Sequence, residues 1–370
     1  MSERYVTLGQ ICDKGSSNIA QKDLAEREGK YPIYGAAGFI KNVDFAHQKR
    51  PYIAVVKDGA GIGRVMKLPA NSSVIGTMQY IFPKENVDID YLFYALQYMN
   101  LGKYFSGSTI PHIYFRDYQK ERLKLPAMKV QQHQAETLSR IDALFSCRQK
   151  QIALLDEIVK SQFVEMFGDA LLNTKVWTES SLESLADIAS GITKGRKVKA
   201  QSLTEVPYMA VSNVKDGHID WTTVKTILAT QQEIDQYRLQ PEDVLITEGG
   251  DPDKVGRGAI IKNPSINCIH QNHIFRVRLD ESIILPTYFA EYLQHRKAKQ
   301  YFLGCAKQTT GIASINMRQL KGLPVLLPPM ELQTRFAAFV AQVDKSKVEI
   351  QKAIDQLEIL KKSLMQQYFG

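Results

Sequence analysis

Between Gln131 and Gly168, apolar side chains return every three or four residues, at Ile141, Phe145, Ile152, Leu155, Val159 and Met166. The same rhythm returns later in the chain as Val343, Ile350, Ile354, Leu357, Leu364 and Tyr368. The two stretches superpose without a gap: 131 becomes 333 and 168 becomes 370, a shift of 202. Gln131/Gln333, Ala135/Ala337, Asp142/Asp344 and Lys160-Ser161/Lys362-Ser363 coincide, as do the closing Phe167-Gly168 and Phe369-Gly370. Neither copy contains proline, and glycine comes only at the last position, where helices commonly stop. Overlaid, the apolar positions fill one heptad seam, the mark of a coiled coil. Arg148, Gln162, Lys347 and Lys361 interrupt it, each opposite an apolar residue of the other copy. The pattern predicts two helices roughly 57 Å long at 1.5 Å per residue. Either they pair with each other through these seam residues, or each packs separately on its own domain.

What precedes each helix is repeated more loosely. Residues 1–129 form one block and 169–331 the other, with helices over 130–168 and 332–370. Leu8-Gly9-Gln10-Ile11 answers Leu185-Ala186-Asp187-Ile188, and Tyr31-Pro32-Ile33-Tyr34 answers Val206-Pro207-Tyr208-Met209. Tyr52-Ile53-Ala54-Val55-Val56 answers Val244-Leu245-Ile246-Thr247, each strand running into a glycine loop. Met78-Gln79-Tyr80-Ile81-Phe82 is matched with Gln271-Asn272-His273-Ile274-Phe275, and a helix from Tyr91 with one from Tyr288. Short strands with one or two helices make each block an α+β domain. The chain therefore reads as two similar domains in tandem, each followed by a long helix.

Charge and cysteine content narrow the class. The chain has 370 residues, enough for two or more domains, and a net charge of +8 that suits a polyanionic partner. Cys12, Cys147, Cys268 and Cys305 have no metal-ligand spacing and read as reduced, mostly buried thiols. No apolar run approaches the ~18 residues of a membrane span, and Met1-Ser2-Glu3-Arg4-Tyr5 has no signal core. The expectation is a cytoplasmic protein with no membrane partner.

Enzymatic chemistry finds little support. Gly59-Ala60-Gly61-Ile62-Gly63-Arg64 resembles a phosphate-binding turn. A strand pattern follows it, however, so no helix N-terminus stands ready for a phosphate, and a hairpin is the better reading. Glu248-Gly249-Gly250-Asp251-Pro252-Asp253-Lys254 lacks the spacing of a two-metal nuclease, so neither catalytic nor metal-binding residues are expected. Polar groups suited to DNA recur instead on equivalent loops. In the first block these are Lys57, Arg64, Gln79, Ser108, Thr109 and His112. In the second they are Lys194, Arg196 and Lys197 on a basic loop, Ser212-Asn213, Lys254, Arg257, Gln271-Asn272-His273 and Lys307-Gln308-Thr309-Thr310. The basic loop is as well explained as a solvated turn, and each of the others, taken singly, is better explained as a surface or strand-end residue; together they outline a face.

The duplicated design resembles the specificity subunit of type I restriction–modification systems. The run Ile315-Asn316-Met317-Arg318-Gln319-Leu320-Lys321-Gly322-Leu323-Pro324, continuing through Leu327-Pro328-Pro329-Met330-Glu331 to Gln333, looks like that family's entry into its second conserved helix. Tyr31-Pro32-Ile33-Tyr34-Gly35 and Val206-Pro207-Tyr208-Met209 look like its target-domain strands. Leu125-Pro126-Ala127-Met128-Lys129-Val130-Gln131 is a weaker match, without the double proline and the glutamate.

The resemblance implies two target recognition domains and an antiparallel pairing of the two helices. Each domain reads one half of a bipartite, asymmetric site in double-stranded DNA, with half-sites near one helical turn, roughly 34–36 Å, apart. Two methyltransferase subunits dock on the helices and bring S-adenosylmethionine; restriction subunits, where present, bring ATP- and Mg-dependent chemistry. This chain itself holds no cofactor in that scheme. The alternatives from the residues alone are a standalone nuclease or methyltransferase using the glycine loops, and a coiled-coil scaffold that binds only proteins.

Overall fold

The computed structural model describes residues 5–107, 111–196, 202–251, 254–309 and 311–370. The chain forms two compact units, Met1–Gln151 with Ile350–Gly370, and Ile152–Glu349. The two long helices, Met128–Phe167 and Met330–Phe369, each contribute one half to either unit.

In the first unit a four-stranded antiparallel sheet runs in the order Cys12–Ser16, Met78–Pro83, Tyr52–Val56, Val65–Leu68. Every residue of Tyr52–Val56 is buried, because both faces of this central strand are covered. A second sheet places Tyr31–Gly35 between Gly38–Val43 and the parallel strand Ser73–Val74. Helix Ile89–Tyr98 starts where Asp88 accepts hydrogen bonds from the amides of Asp90 and Tyr91. It buries Tyr91, Leu92, Tyr94, Ala95 and Leu96.

The second unit repeats this topology. Its four-stranded sheet has the order Ala186–Ser190, Ile274–Leu279, Val244–Thr247, Gly258–Ile260. Its three-stranded sheet again has a parallel partner, with Thr204–Met209 between Lys225–Ala229 and Ile269–His270. Arg122–Lys124 closes on Tyr5–Thr7 in the first unit as Pro324–Leu327 closes on Thr178–Ser181 in the second. A third small sheet, Gly249–Gly250, Ile312–Ser314 and Lys307–Thr309, belongs to the second unit.

Strand pairing corrects two of the sequence matches. Val56 pairs with Met78 and Thr247 with Ile274, so Met78 corresponds to Ile274 and Gln79 to Phe275. The match of Gln79 with Asn272 was three residues out of step. Likewise Leu8 and Ile11 precede the first strand as Leu182 and Leu185 precede theirs, rather than as Leu185 and Ile188 do. Short apolar motifs repeat within a strand and its approach, so they do not fix register by themselves.

The helix halves pair inside each unit. Asp142 of the first helix accepts a hydrogen bond from Lys361 of the second in unit 1, and Asp156 is paired with Lys347 in unit 2. Positions rise along one helix as they fall along the other, so the pairing is antiparallel. Ile141, Val159, Val343 and Ile354 are buried, and Phe145, Ile152, Leu155, Ile350, Leu357 and Leu364 are half-buried. The heptad seam is therefore the packed face of each helix.

Both copies end on a phenylalanine that fills the unit entered last. Phe167 lies edge-on to Tyr288 at 4.8 Å between ring centres and at 5.4 Å from Phe336 in unit 2. Phe369 lies 5.1 Å from Tyr91 in unit 1. Phe163, Phe336 and Leu138, absent from the seam read in the sequence, are buried where the helices meet the globular parts.

Candidate nucleic-acid interface

At one end of each four-stranded sheet, three segments are tied by the same backbone hydrogen bonds. In unit 1 the Lys57 amide donates to the Thr77 carbonyl at 3.0 Å, and the Ile113 amide donates to the Lys57 carbonyl at 2.9 Å. In unit 2 Glu248 donates to His273 at 3.0 Å and Ile315 donates to Glu248 at 2.8 Å. The chain after Tyr52–Val56 or Val244–Thr247, the turn before the partner strand and the segment before residue 113 or 315 thus form one rim in both units. The backbone is repeated; Ile113 and Ile315 coincide, as do Arg64 and Arg257, while Lys57 and Thr77 are replaced by Glu248 and His273.

In unit 1 the rim carries an ionic network. Asp58 lies 3.1 Å from the Lys57 ammonium and 2.7 Å from Nδ1 of His112. Arg64 donates to the carbonyl of Ala36 at 2.8 Å and so ties the turn of the Tyr31–Val43 hairpin to the glycine loop. That loop is a hairpin turn, with Val56 donating to Arg64 and Gly63 to Val56. Gly63 has φ +79°, and a Cβ there would lie 2.3 Å from the backbone nitrogen of Gly102, so both conformation and close approach require glycine. Ser108 and Thr109 lie outside the described residues.

In unit 2 Arg257 stands where unit 1 has Arg64, and the other corresponding groups differ. Glu248 pairs with the exposed His273, and Lys254 pairs with Asp251. Lys307 is exposed on its strand, whose backbone also carries Gln308 and Thr309; Thr310 lies outside the described residues. The Arg257 amide donates to the Lys254 carbonyl, and its own carbonyl accepts from Thr247. Gln271 and Asn272 link this rim to neighbouring segments. The Gln271 side chain accepts from Val211 at 3.4 Å, next to the exposed Ser212, and the Asn272 amide donates to Ile192 at 3.0 Å. Gly191 fits there because a Cβ would lie 2.0 Å from the His270 carbonyl oxygen.

Three expected contacts fall away as surface readers. Gln79 is buried, and its amide oxygen accepts from the Tyr118 hydroxyl at 2.7 Å. Asn213 is buried and holds a turn, donating to the Asp220 carbonyl and to Thr223 while accepting from the Ala210 amide. Arg196 makes a two-pronged pair with Glu233 at 2.5 and 2.7 Å and donates to Leu228. That pairing, first through the guanidinium hydrogen bond, holds the Glu233 carboxyl down at about 2. Arg196 therefore fastens its loop to helix Gln231–Tyr237. Lys194 is exposed, and Lys197 lies outside the described residues.

Two α+β units of one topology, rims of one backbone design with largely different side chains, and a long helix after each define a duplicated domain-plus-helix architecture. The sequence profile described as "Type I restriction modification DNA specificity domain" matches residues 3–157 and 174–358. The chain belongs to this family. It is 30% identical over 191 residues to the putative type I restriction enzyme MjaX specificity subunit of Methanocaldococcus jannaschii, covering 51% of this chain and 45% of that one. It is 22% identical to the type I restriction enzyme EcoKI specificity subunit of Escherichia coli K12, over 71% of this chain and 60% of the relative. A third relative, the MjaVIII specificity subunit of M. jannaschii, is 25% identical over 92% of this chain and 85% of its own. Thus the first two alignments span less than two thirds of those relatives. Among solved structures, the type I restriction–modification S subunit from M. genitalium matches with a TM-score of 0.59 at 16% identity, covering 100% of this chain and 96% of that one. Among the described residues, no helix is long and apolar enough to cross a membrane.

Proposed function

We propose that the chain is the non-catalytic DNA-recognition subunit of a type I restriction–modification complex. Each unit reads one half of a split, asymmetric site, and the paired helices set the gap between the halves. The observation that carries this is the repeated rim: one backbone arrangement presents Lys57 and Thr77 in one unit where the other has Glu248 and His273, beside an arginine, Arg64 or Arg257, common to both. Equivalent positions with unlike side chains are what two different half-sites require, since base edges are read by side chains.

Two methyltransferase subunits dock on the helices in this reading. Leu154 and Ile158 in unit 2, and Ile359 and Leu360 in unit 1, are apolar residues exposed on the helix surfaces, the kind of surface a protein partner covers. S-adenosylmethionine belongs to those partners, and ATP with Mg to restriction subunits where these join. A standalone nuclease or methyltransferase gains nothing from the glycine loops, because Gly59–Gly63 is closed as a hairpin and Lys254 is engaged by Asp251.

Mapping DNA methylation in cells that carry the methyltransferase subunits, with and without this chain, tests the proposal. A split motif that appears only with the chain is expected. Methylation that is the same in both cells would sink it.

A further inference from the structure

The seam of the helix pair carries two lysines, and each has found a carboxylate on the opposite helix. In unit 1 Lys361, half-buried, reaches Asp142 at 2.5 Å and lies 5.6 Å over the Tyr94 ring. Tyr94 also donates its hydroxyl to Asp142 at 3.0 Å. In unit 2 Lys347, also half-buried, reaches Asp156 at 2.5 Å, with Asp344 of its own helix at 3.8 Å. From Asp142 to Asp156 is fourteen residues along the first helix, and from Lys361 back to Lys347 is fourteen along the second. The two pairs are thus two heptads apart and share one antiparallel register.

Other registers do not offer this match. A slip of one heptad sets Lys361 opposite Ala135 or Gln149, and Lys347 opposite Gln149 or Phe163. Slips of three or four residues bring neither lysine opposite an acid; one of them sets Lys347 against Lys160. Apolar seam residues tolerate such slips, because one aliphatic side chain replaces another at similar cost. A lysine stranded on a seam without a counter-charge does not, since a half-buried ammonium must be paired or hydrated. We infer that Asp142–Lys361 and Asp156–Lys347 are positioning pairs that select the helix register, and through it the spacer length of the split DNA site. This rests on the recognition reading above, in which the helices set that spacer.

The test maps methylated motifs in cells carrying the full-length chain and the methyltransferase subunits. The wild-type motif is established first. The double variant Asp142→Lys with Asp156→Lys sets like charges across the seam, and it is expected to lose methylation at the wild-type spacer while any remaining motif keeps its half-site bases. The fourfold exchange, which adds Lys347→Asp and Lys361→Asp, is expected to regain the wild-type spacer. The Tyr94 hydroxyl suits either partner, because it can accept from a lysine as readily as it donates to a carboxylate. Unchanged methylation in the double variant overturns the inference. So does a fourfold variant that fails to regain the motif, because charge complementarity is then not what selects the register. If the wild-type chain directs no split motif, the recognition reading itself falls, a result distinct from either.

Discussion

Gln131 and Gln333 occupy the same place in the two copies and make the same three hydrogen bonds. Gln131 donates to the carbonyls of Asn86 and Pro126 and accepts from the Asp88 amide, at 3.1, 2.8 and 2.9 Å. Gln333 donates to Ile283 and Pro328 and accepts from Leu285, at 3.2, 2.9 and 2.8 Å. Both are buried. Each pins the start of a long helix to the loop before the short helix it packs on, so helix direction is set at the domain surface.

Replacing either glutamine by alanine leaves buried backbone groups without partners. Each substitution is expected to destabilise its own unit by roughly 2–4 kcal/mol, from one or two unmet groups at about 1–3 kcal/mol each. Denaturant unfolding followed by hydrogen exchange checks this. Gln131→Ala should expose amides in Tyr52–Val56, and Gln333→Ala those in Val244–Thr247.

Phe167→Ala and Phe369→Ala should act crosswise. The first removes an aromatic ring from beside Tyr288 in unit 2, although it lies on the helix that starts in unit 1. The second removes the ring beside Tyr91 in unit 1. Each is expected to cost about 3–5 kcal/mol, read as faster hydrogen exchange in the unit that receives the ring. Equal loosening of both units by each variant would contradict the packing.

Acid should loosen unit 2 through His270. Its ring is buried, and Nδ1 donates to the Tyr237 carbonyl at 3.1 Å. Burial pushes its pKa down to about 4 from an ordinary 6.5. The unfolded chain takes up this proton near pH 6.5 and the folded unit only near 4. Stability is therefore whole above pH 6.5 and falls as pH drops toward 4, by on the order of 3 kcal/mol. His270→Gln should flatten that part of the stability–pH profile; an unchanged profile would remove His270 from the account.

Lys307→Ala in the rim and Arg196→Ala in the loop fastened to helix Gln231–Tyr237 should separate. Lys307 is exposed, and Lys307→Ala is expected to weaken DNA binding by the complex uniformly and to lower the salt slope by about one, as loss of one phosphate contact does. Arg196→Ala instead leaves Glu233 without its guanidinium and costs about 1–2 kcal/mol of stability above pH 5, with little change in the salt slope. Salt titrations of DNA binding, set beside melting curves, distinguish the two.

The helices were the most legible part of the chain. Their heptads, their shared ending and their lack of proline predict nearly the spans observed, with Met128 and Met330 starting slightly earlier than Gln131 and Gln333. Tyr31–Gly35 and Thr204–Met209 also appear where the sequence suggests strands. Polar residues were harder to place. Gln79 and Asn213 look like base readers by type, yet both are buried and spent on local hydrogen bonds. Only strand pairing reveals that Gln79 stands opposite Val55 in the middle of a sheet. Arg196 reads as part of a free basic loop because Glu233 is 37 residues away along the chain. The Gln131 and Gln333 clamps were visible only as a coincidence between copies, since nothing in a lone glutamine announces three buried partners.

The exchange of terminal phenylalanines also bears on synthesis. The core around Tyr91 stays unfinished until Phe369 has emerged from the ribosome, although most of that unit lies before residue 152. The unit begun first is therefore completed last, while the one begun second receives Phe167 from chain already made. Released chains truncated just before residue 369 should hold a protease-sensitive first unit and a protected second one.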